Sequence, residues 1–357
     1  MIPQTMKASM LTAFNKIELK EIPVPSPGRG EVLCRIKAVA ICGTDPEIVK
    51  GNHQGKGWPP ELPYVLGHEW AGEIVRVGEG VAGYSVGDRV AGEAHKGCGD
   101  CVNCLKGNYT LCMNYGRQET DHRHYGFTTP GANCEYNTYH IKAIRRIPDS
   151  FEYSHAALLD SAGCALHGIK LIGITPGGTV VVFGPGPIGL CAMQMAKAMG
   201  AKTVIMVGRR HRLSVAKEIG ADYAVDYEKE DPVKSIMEIT SGLGADEVLE
   251  CSGGAVVPEQ SIRCVKKGGR VALIGFYDDK KVNISCMTKV VMDEIMLMGS
   301  RANPNTYDEV IRMFEAGAVR ADKIVTHRFP LEKYEEALDT FVNRKDGAIK
   351  VVIEPSA

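Results

Sequence analysis

Cys98, Cys101, Cys104 and Cys112 form a Cys-x2-Cys-x2-Cys-x7-Cys series. Thiols three residues apart cannot pair among themselves without strain, but a folded loop can bring all four to one tetrahedral Zn²⁺. Gly97, Gly99 and Gly107 supply the turns such a loop requires. Four independently buried thiols are the alternative, and the polar segment could bury little. Four sulfur ligands leave no open position, so a zinc held here is structural. A second, dispersed set is Cys42-Gly43-Thr44-Asp45, Gly67-His68-Glu69 and Asp160. Mixed donors suit a zinc with one exchangeable position, although a lone His beside a Glu is ordinarily a surface or core residue. The third motif, Gly184-Pro185-Gly186-Pro187-Ile188-Gly189, fits the G-x-G-x-x-G fingerprint. Its glycines let the backbone approach a pyrophosphate, whose charge is held at a helix N-terminus. A plain strand-to-helix turn is the alternative reading.

The elements around these motifs have two rhythms. Up to about residue 160 the chain reads as short β segments between turns, including Val32–Val39, Glu73–Val77 and Gly87–Gly92. From about Pro176 it alternates strands and helices. Thr179–Phe183 is a β-branched run suited to a strand buried on both faces, and the fingerprint follows it directly. Helix Leu190–Met199, strand Thr203–Val207, helix Arg212–Ile219 and strands ending at Val225, Cys251 and Gly275 continue the pattern. Such βαβ units predict a doubly wound parallel sheet. The tail adds helices at Asp308–Glu315 and Leu331–Asn343 and a strand at Ile349–Ile353. The fold class is α/β, with a mainly β domain followed by the wound sheet.

With 42 basic and 43 acidic residues there is no electrostatic footprint of a nucleic-acid binder. No apolar run reaches the ~18 residues of a membrane span. Met1–Lys7 has no apolar h-region, so the expected location is cytoplasmic, where 12 cysteines are more often ligands or buried thiols than disulfides.

Together the motifs resemble the zinc-dependent medium-chain alcohol dehydrogenases over essentially the whole length. The marks are Cys42-Gly43-Thr44-Asp45, Gly67-His68-Glu69-x2-Gly72, the four-cysteine lobe, the fingerprint, and Asp160 followed by Ala165-Leu166-His167-Gly168. The threonine, sorbitol and butanediol dehydrogenase branch is the most similar. The resemblance implies a GroES-like catalytic domain at 1–161, a Rossmann NAD(P)-binding domain at 162–301 and a return to the catalytic domain at 302–357. It also implies two zinc ions per chain. Cys42, His68 and Asp160 would hold the catalytic one, with Glu69 as an occasional or outer ligand. Polyol-type members usually carry Glu where this chain has Asp160. Thr44 would pass the alcohol proton onward. The family's relay usually continues to a His three residues later, where this chain has Glu47, either a relay carboxylate or a solvated charge. A homo-oligomer, dimer or tetramer, is expected.

The activity so implied is reversible hydride transfer between a nicotinamide cofactor and a secondary alcohol, with a polyol or sugar-derived alcohol as the expected substrate. A threonine-type amino-alcohol dehydrogenase is the alternative within the class. A zinc-containing regulatory or storage module without turnover is the alternative outside it. His95, Tyr125, Arg117, His122, Arg123, His124 and Arg301 are either solvated or structural groups, or contacts for a polar or anionic substrate. Gly184, Gly186, Pro187, Ile188 and Gly189 would cradle the cofactor. The second strand ends in Gly208-Arg209-Arg210, with no acidic residue between Val204 and Arg212. An acidic residue there would bind the ribose of NAD and repel a 2′-phosphate. Its absence, beside two arginines, predicts NADP(H) over NAD(H).

Overall fold

Alternation along Val32–Val39 produces strand Glu31–Ala40, the centre of the first sheet. It pairs antiparallel with Glu69–Val77, Tyr136–His140 and Lys350–Glu354. Arg89–Gly92 and Ile144–Arg146 extend the sheet on one side, and Val325–Pro330 on the other. The inward faces contribute Val32, Cys34, Ile36, Ile74 and Val351, with Trp70 stacked on Tyr139 at 3.9 Å. Burying Val351-Val352-Ile353 draws the chain's end into this unit, because a strand of three fully buried β-branched residues needs a partner on each edge.

The computed structural model describes residues 1–278 and 280–356. The chain divides into two units, Met1–Asp160 with Val325–Ala357, and Ser161–Ile324. The second contains a six-stranded sheet ordered Tyr223–Asp226, Thr203–Gly208, Thr179–Phe183, Ala245–Glu250, Val265–Leu273, Met296–Gly299. Every neighbouring pair is parallel. In sequence order this is 3-2-1-4-5-6, the doubly wound arrangement of dinucleotide-binding proteins. The β-branched run at Thr179–Phe183 lies in the middle, where both faces are covered. Helix Pro187–Ala198 follows it and starts on a proline, which lacks only an N–H that the first turn leaves unbonded.

The elements differ from the sequence reading in several places. The unit with the parallel sheet extends to Ile324, so residues 302–324 pack there and the return comes at Val325 rather than 302. Helix Tyr307–Glu315 explains the difference: it buries Tyr307, Val310 and Ile311, and its Glu309 pairs with Lys170. The reading also passed over the hairpin Thr5–Ala13/Lys16–Pro23 and the helices Leu159–Ile172, Pro232–Ile239 and Val257–Cys264. The expected helix from Leu331 opens with a 3₁₀ turn and is α-helical over Tyr334–Asn343. No described helix is long and apolar enough to cross a membrane.

Candidate functional site

The four lobe cysteines converge. Their sulfurs all lie within 4.8 Å of one another, with Cys98 to Cys104 and Cys101 to Cys112 each at 3.9 Å. Tetrahedral Zn–S bonds of ~2.3 Å would separate sulfurs by ~3.8 Å, whereas a disulfide requires ~2.05 Å. The donor set therefore fits a closed zinc. Backbone N–H groups of Cys101 and Met113 and the Asn114 amide donate to sulfurs of this group. Burial pushes the Cys98 thiol up, but the N–H groups of Cys101 and Asp100 outweigh it and hold it at about 6.

A second cluster joins Cys42, His68 and Glu69, whose ligand atoms also lie within 4.8 Å of one another. Cys42 follows strand Glu31–Ala40, and Glu69 opens strand Glu69–Val77. The two strands pair in register at Ala40 and Glu69, which brings their adjoining motifs together. Asp45, 1% exposed, accepts the Cys42 N–H at 2.8 Å and lies 3.8 Å from His68 Nδ1. Burial alone would lower the His68 pKa; Cys42, Asp45 and Asp160 outweigh it and lift it to about 10. Cys42, Asp45 and Asp160 thus surround His68 with groups that favour positive charge, and a divalent cation meets that demand with these donors. Asp160 is buried and acts electrostatically on His68 and Lys350, but stands outside the tight three-residue group. Glu69 stands inside it.

Thr44 begins the short helix Thr44–Val49, and its Oγ1 is 3.8 Å from Cys42 Sγ. Glu47 lies on the same helix. Lys50 Nζ donates to one of its carboxylate oxygens at 2.8 Å and Asn52 to the other at 2.6 Å. The Lys50 contact is the main cause holding the Glu47 pKa below its usual range.

The coenzyme loop follows strand Thr179–Phe183. Gly184 has φ of 94°, and a Cβ there would come within 2.8 Å of Ser252, so glycine is required on two counts. Around Gly186 the space is open: a Cβ would find only Arg212 Nη1, at 4.0 Å. An uncrowded glycine at a helix N-terminus is a cradle that a pyrophosphate can enter. Beyond the second strand, Arg209 and Arg210 both pair with Glu228, at 2.8 and 3.2 Å.

Residues 28–149 match the alcohol dehydrogenase GroES-like domain, and residues 187–316 match the zinc-binding dehydrogenase domain. A sorbitol dehydrogenase of Halalkalibacterium halodurans is 34% identical over 342 residues, covering 94% of this chain and 95% of that protein. The chain belongs to the zinc-dependent medium-chain alcohol dehydrogenases. An L-threonine 3-dehydrogenase of Pyrococcus horikoshii is 36% identical over 343 residues, with 94% and 95% coverage. A zinc-binding dehydrogenase of Sinorhizobium meliloti 1021, solved bound to NADP, superimposes with a TM-score of 0.89 at 32% identity, covering 99% of this chain and 100% of that one.

In this medium-chain alcohol dehydrogenase a cluster of rings lies beside the mixed centre. Phe127 lies 4.6 Å from the His68 ring and stacks on His124 at 3.8 Å; His124 in turn stacks on His95 at 3.9 Å. Trp58 meets Phe127 and His124 edge-on, and His53 packs against Trp58. The register of Arg123–His124 with His95–Lys96 holds the two histidines opposite each other. His95, His122 and His124 are buried rather than solvated, Tyr125 is buried and its hydroxyl accepts the His140 N–H, and Arg117 is exposed. Arg301 is exposed on the other unit, beyond strand Met296–Gly299. The sequence reading missed His53, Trp58, Phe127 and Lys350. Of these only Lys350 left a signal, as a lone charge inside an apolar strand.

Proposed function

We propose that the chain oxidises a secondary alcohol reversibly with NADP, its substrate being a polyol or sugar-derived alcohol. The observation that carries this reading is the Cys42–His68–Glu69 cluster, backed by buried Asp45 and flanked by the Thr44 hydroxyl. Zinc held by Cys42, His68 and a carboxylate of Glu69 or Asp160 would polarise the substrate hydroxyl, and the nicotinamide would take the hydride. Thr44 Oγ1 receives the hydroxyl proton and releases its own toward solvent. Glu47 is the outer acceptor in this scheme, and its pairing with Lys50 and Asn52 limits it to brief protonation. The lobe cysteines hold a second, structural zinc.

Arg209 and Arg210 give the 2′-phosphate two charge-assisted partners, and Arg209 Nε has no hydrogen-bond partner among the described residues. The S. meliloti relative was solved bound to NADP, which supports NADP as the coenzyme. The H. halodurans relative's name supports a polyol substrate. A threonine-type amino alcohol is the second reading, favoured by the P. horikoshii relative. The complete donor set speaks against an inactive zinc module. Twelve cysteines without a disulfide among the described residues suit the cytoplasm. Strand Met296–Gly299 ends its sheet with Met296 exposed, as are Val291 and Met292, and this open apolar edge, which pairing with a second copy would cover, supports a dimer or tetramer. The test is kcat/KM for NADP and NAD over a panel of polyols, hydroxy acids and amino alcohols. Turnover with none of them, or a clear preference for NAD, overturns the corresponding part of the reading.

A further inference from the structure

Gly208 closes strand Thr203–Gly208 and is buried. It stands about 20 residues beyond the glycine loop, where a Rossmann fold places the acidic ligand of the adenosine ribose. Its φ lies outside the left-handed region, so the backbone does not demand glycine. The neighbouring loop does. A Cβ on residue 208 would sit 2.4 Å from Pro185 Cγ and 2.5 Å from Pro185 Cδ, with Leu213 Cδ2 at 3.3 Å. The first two atoms belong to a pyrrolidine ring, which has no rotamer by which to move aside.

The loop bearing Pro185 is equally constrained. Before it, Gly184 approaches Ser252 too closely to accept a Cβ. After it, Gly189 packs so near the Gly184 carbonyl that a Cβ would come within 1.9 Å of that oxygen. The Gly184 N–H also donates to the Val207 carbonyl at 2.9 Å, tying the loop to the residue just before Gly208. Moving the ring would therefore mean moving the pyrophosphate cradle.

We propose that Pro185 is a coenzyme-specificity residue: its ring fills the space that an acidic side chain at position 208 needs, which leaves the ribose corner to a 2′-phosphate facing Arg209 and Arg210. This rests on the coenzyme reading given above. Selectivity then has two parts. Arg209 and Arg210 attract the phosphate, and Pro185 excludes the carboxylate that would compete for the ribose. A fingerprint residue whose side chain carries no charge thus controls which charge can stand beside the coenzyme.

A double-mutant cycle on the zinc-loaded enzyme tests it, using Pro185→Ala, Gly208→Asp, the double variant and the parent. The readouts are dissociation constants and kcat/KM for NADP and NAD. Gly208→Asp alone is expected to weaken both coenzymes, because the new Cβ displaces the loop. The double variant is expected to recover NAD selectively, with a coupling of at least ~10-fold between the two sites. Additive effects, or NAD bound as well by Gly208→Asp as by the double variant, overturn the proposal. Should Gly208→Asp fail to fold, the same cycle with Gly208→Ala applies, and failure of Pro185→Ala to restore its coenzyme binding overturns the proposal. A parent that prefers NAD sinks the coenzyme reading by itself, while the coupling still decides whether Pro185 excludes a side chain at 208.

Discussion

Lys350 Nζ pairs with the Glu69 carboxylate, and their side chains are only 3% and 2% exposed. Lys350 also donates to the Ile41 carbonyl at 3.3 Å, which ties the last strand to the residue before Cys42. Burial alone would lower the lysine pKa; Glu69, Cys42 and Asp160 outweigh it and raise it. Removing one member of such a pair strands a buried charge, at a cost of ~3–5 kcal/mol. Lys350→Met should therefore lower unfolding stability by about that amount. The double variant with Glu69→Gln should lose less than the single one. Urea unfolding curves for the parent and three variants test this, and equal losses for single and double variants would refute it.

The Thr44 role makes a kinetic prediction. Thr44→Ala should lower alcohol oxidation by ~10²-fold or more while coenzyme affinity stays close to the parent's, and Thr44→Ser should retain most activity. Glu47→Gln should cost far less than Thr44→Ala, because Lys50 and Asn52 already occupy its oxygens. Steady-state rates across pH separate these cases. A Glu47→Gln loss as large as that of Thr44→Ala would make the carboxylate an essential acceptor.

The two cysteine groups should differ in lability. The lobe offers four sulfurs and no vacancy, whereas the mixed centre keeps an exchangeable position. Metal analysis should find two zinc ions per folded chain, and mild chelation should remove one together with activity. Cys104→Ser should impair folding more than turnover, and Cys42→Ala the reverse. One zinc per folded chain would refute the pair.

Much of this was legible because the signals are local. The fingerprint and its preceding β-branched run identify the coenzyme unit from 11 consecutive positions, Thr179–Gly189, and the lobe spacing names its own ligands. The mixed centre is different. Its residues come from Cys42, His68 and Glu69, and only strand pairing at Ala40 and Glu69 shows that Glu69 belongs to the tight group while Asp160 stands outside it. The partner of Glu69 lies in the final strand, beyond any periodicity argument. Helix Leu159–Ile172 is less legible for another reason: Gly163 and Gly168 have low helix propensity, yet they are the positions where Asn303, Thr306 and Ile274 leave no room for a Cβ.

Acid should destabilise the first unit through His140. Partial burial is the main cause that lowers its pKa to about 4, with Lys96, Lys142 and Arg123 acting in the same direction and Asp121 opposing. Its Nδ1 accepts the Lys142 N–H at 3.1 Å, a bond that requires the neutral ring. The unfolded chain, with an ordinary histidine pKa near 6.5, binds the extra proton first as pH falls. Stability is thus complete above ~6.5 and declines toward ~4, by on the order of 1–2 kcal/mol once partial exposure is allowed for. His140→Gln should flatten that part of the profile. Urea midpoints at pH 5 and 7.5 decide it, and an unchanged slope would show that His140 does not contribute.

Glu228 should act as a brake on NADP binding. Its carboxylate is shared by Arg209 and Arg210, and those two contacts, with Arg210 the larger, hold its pKa below the usual range. An incoming 2′-phosphate must either displace this carboxylate or sit beside a like charge. NAD presents no phosphate there and meets neither penalty. The pairs are solvent-exposed, so the competition is modest, and Glu228→Gln should tighten NADP binding by ~2–5-fold with little change for NAD. The gain should shrink as salt rises, since screening weakens the arginine–carboxylate and arginine–phosphate contacts alike. Dissociation constants from coenzyme fluorescence at two ionic strengths give the answer. Weaker NADP binding in Glu228→Gln would reverse the assignment, making Glu228 the residue that holds both arginines in place for the phosphate.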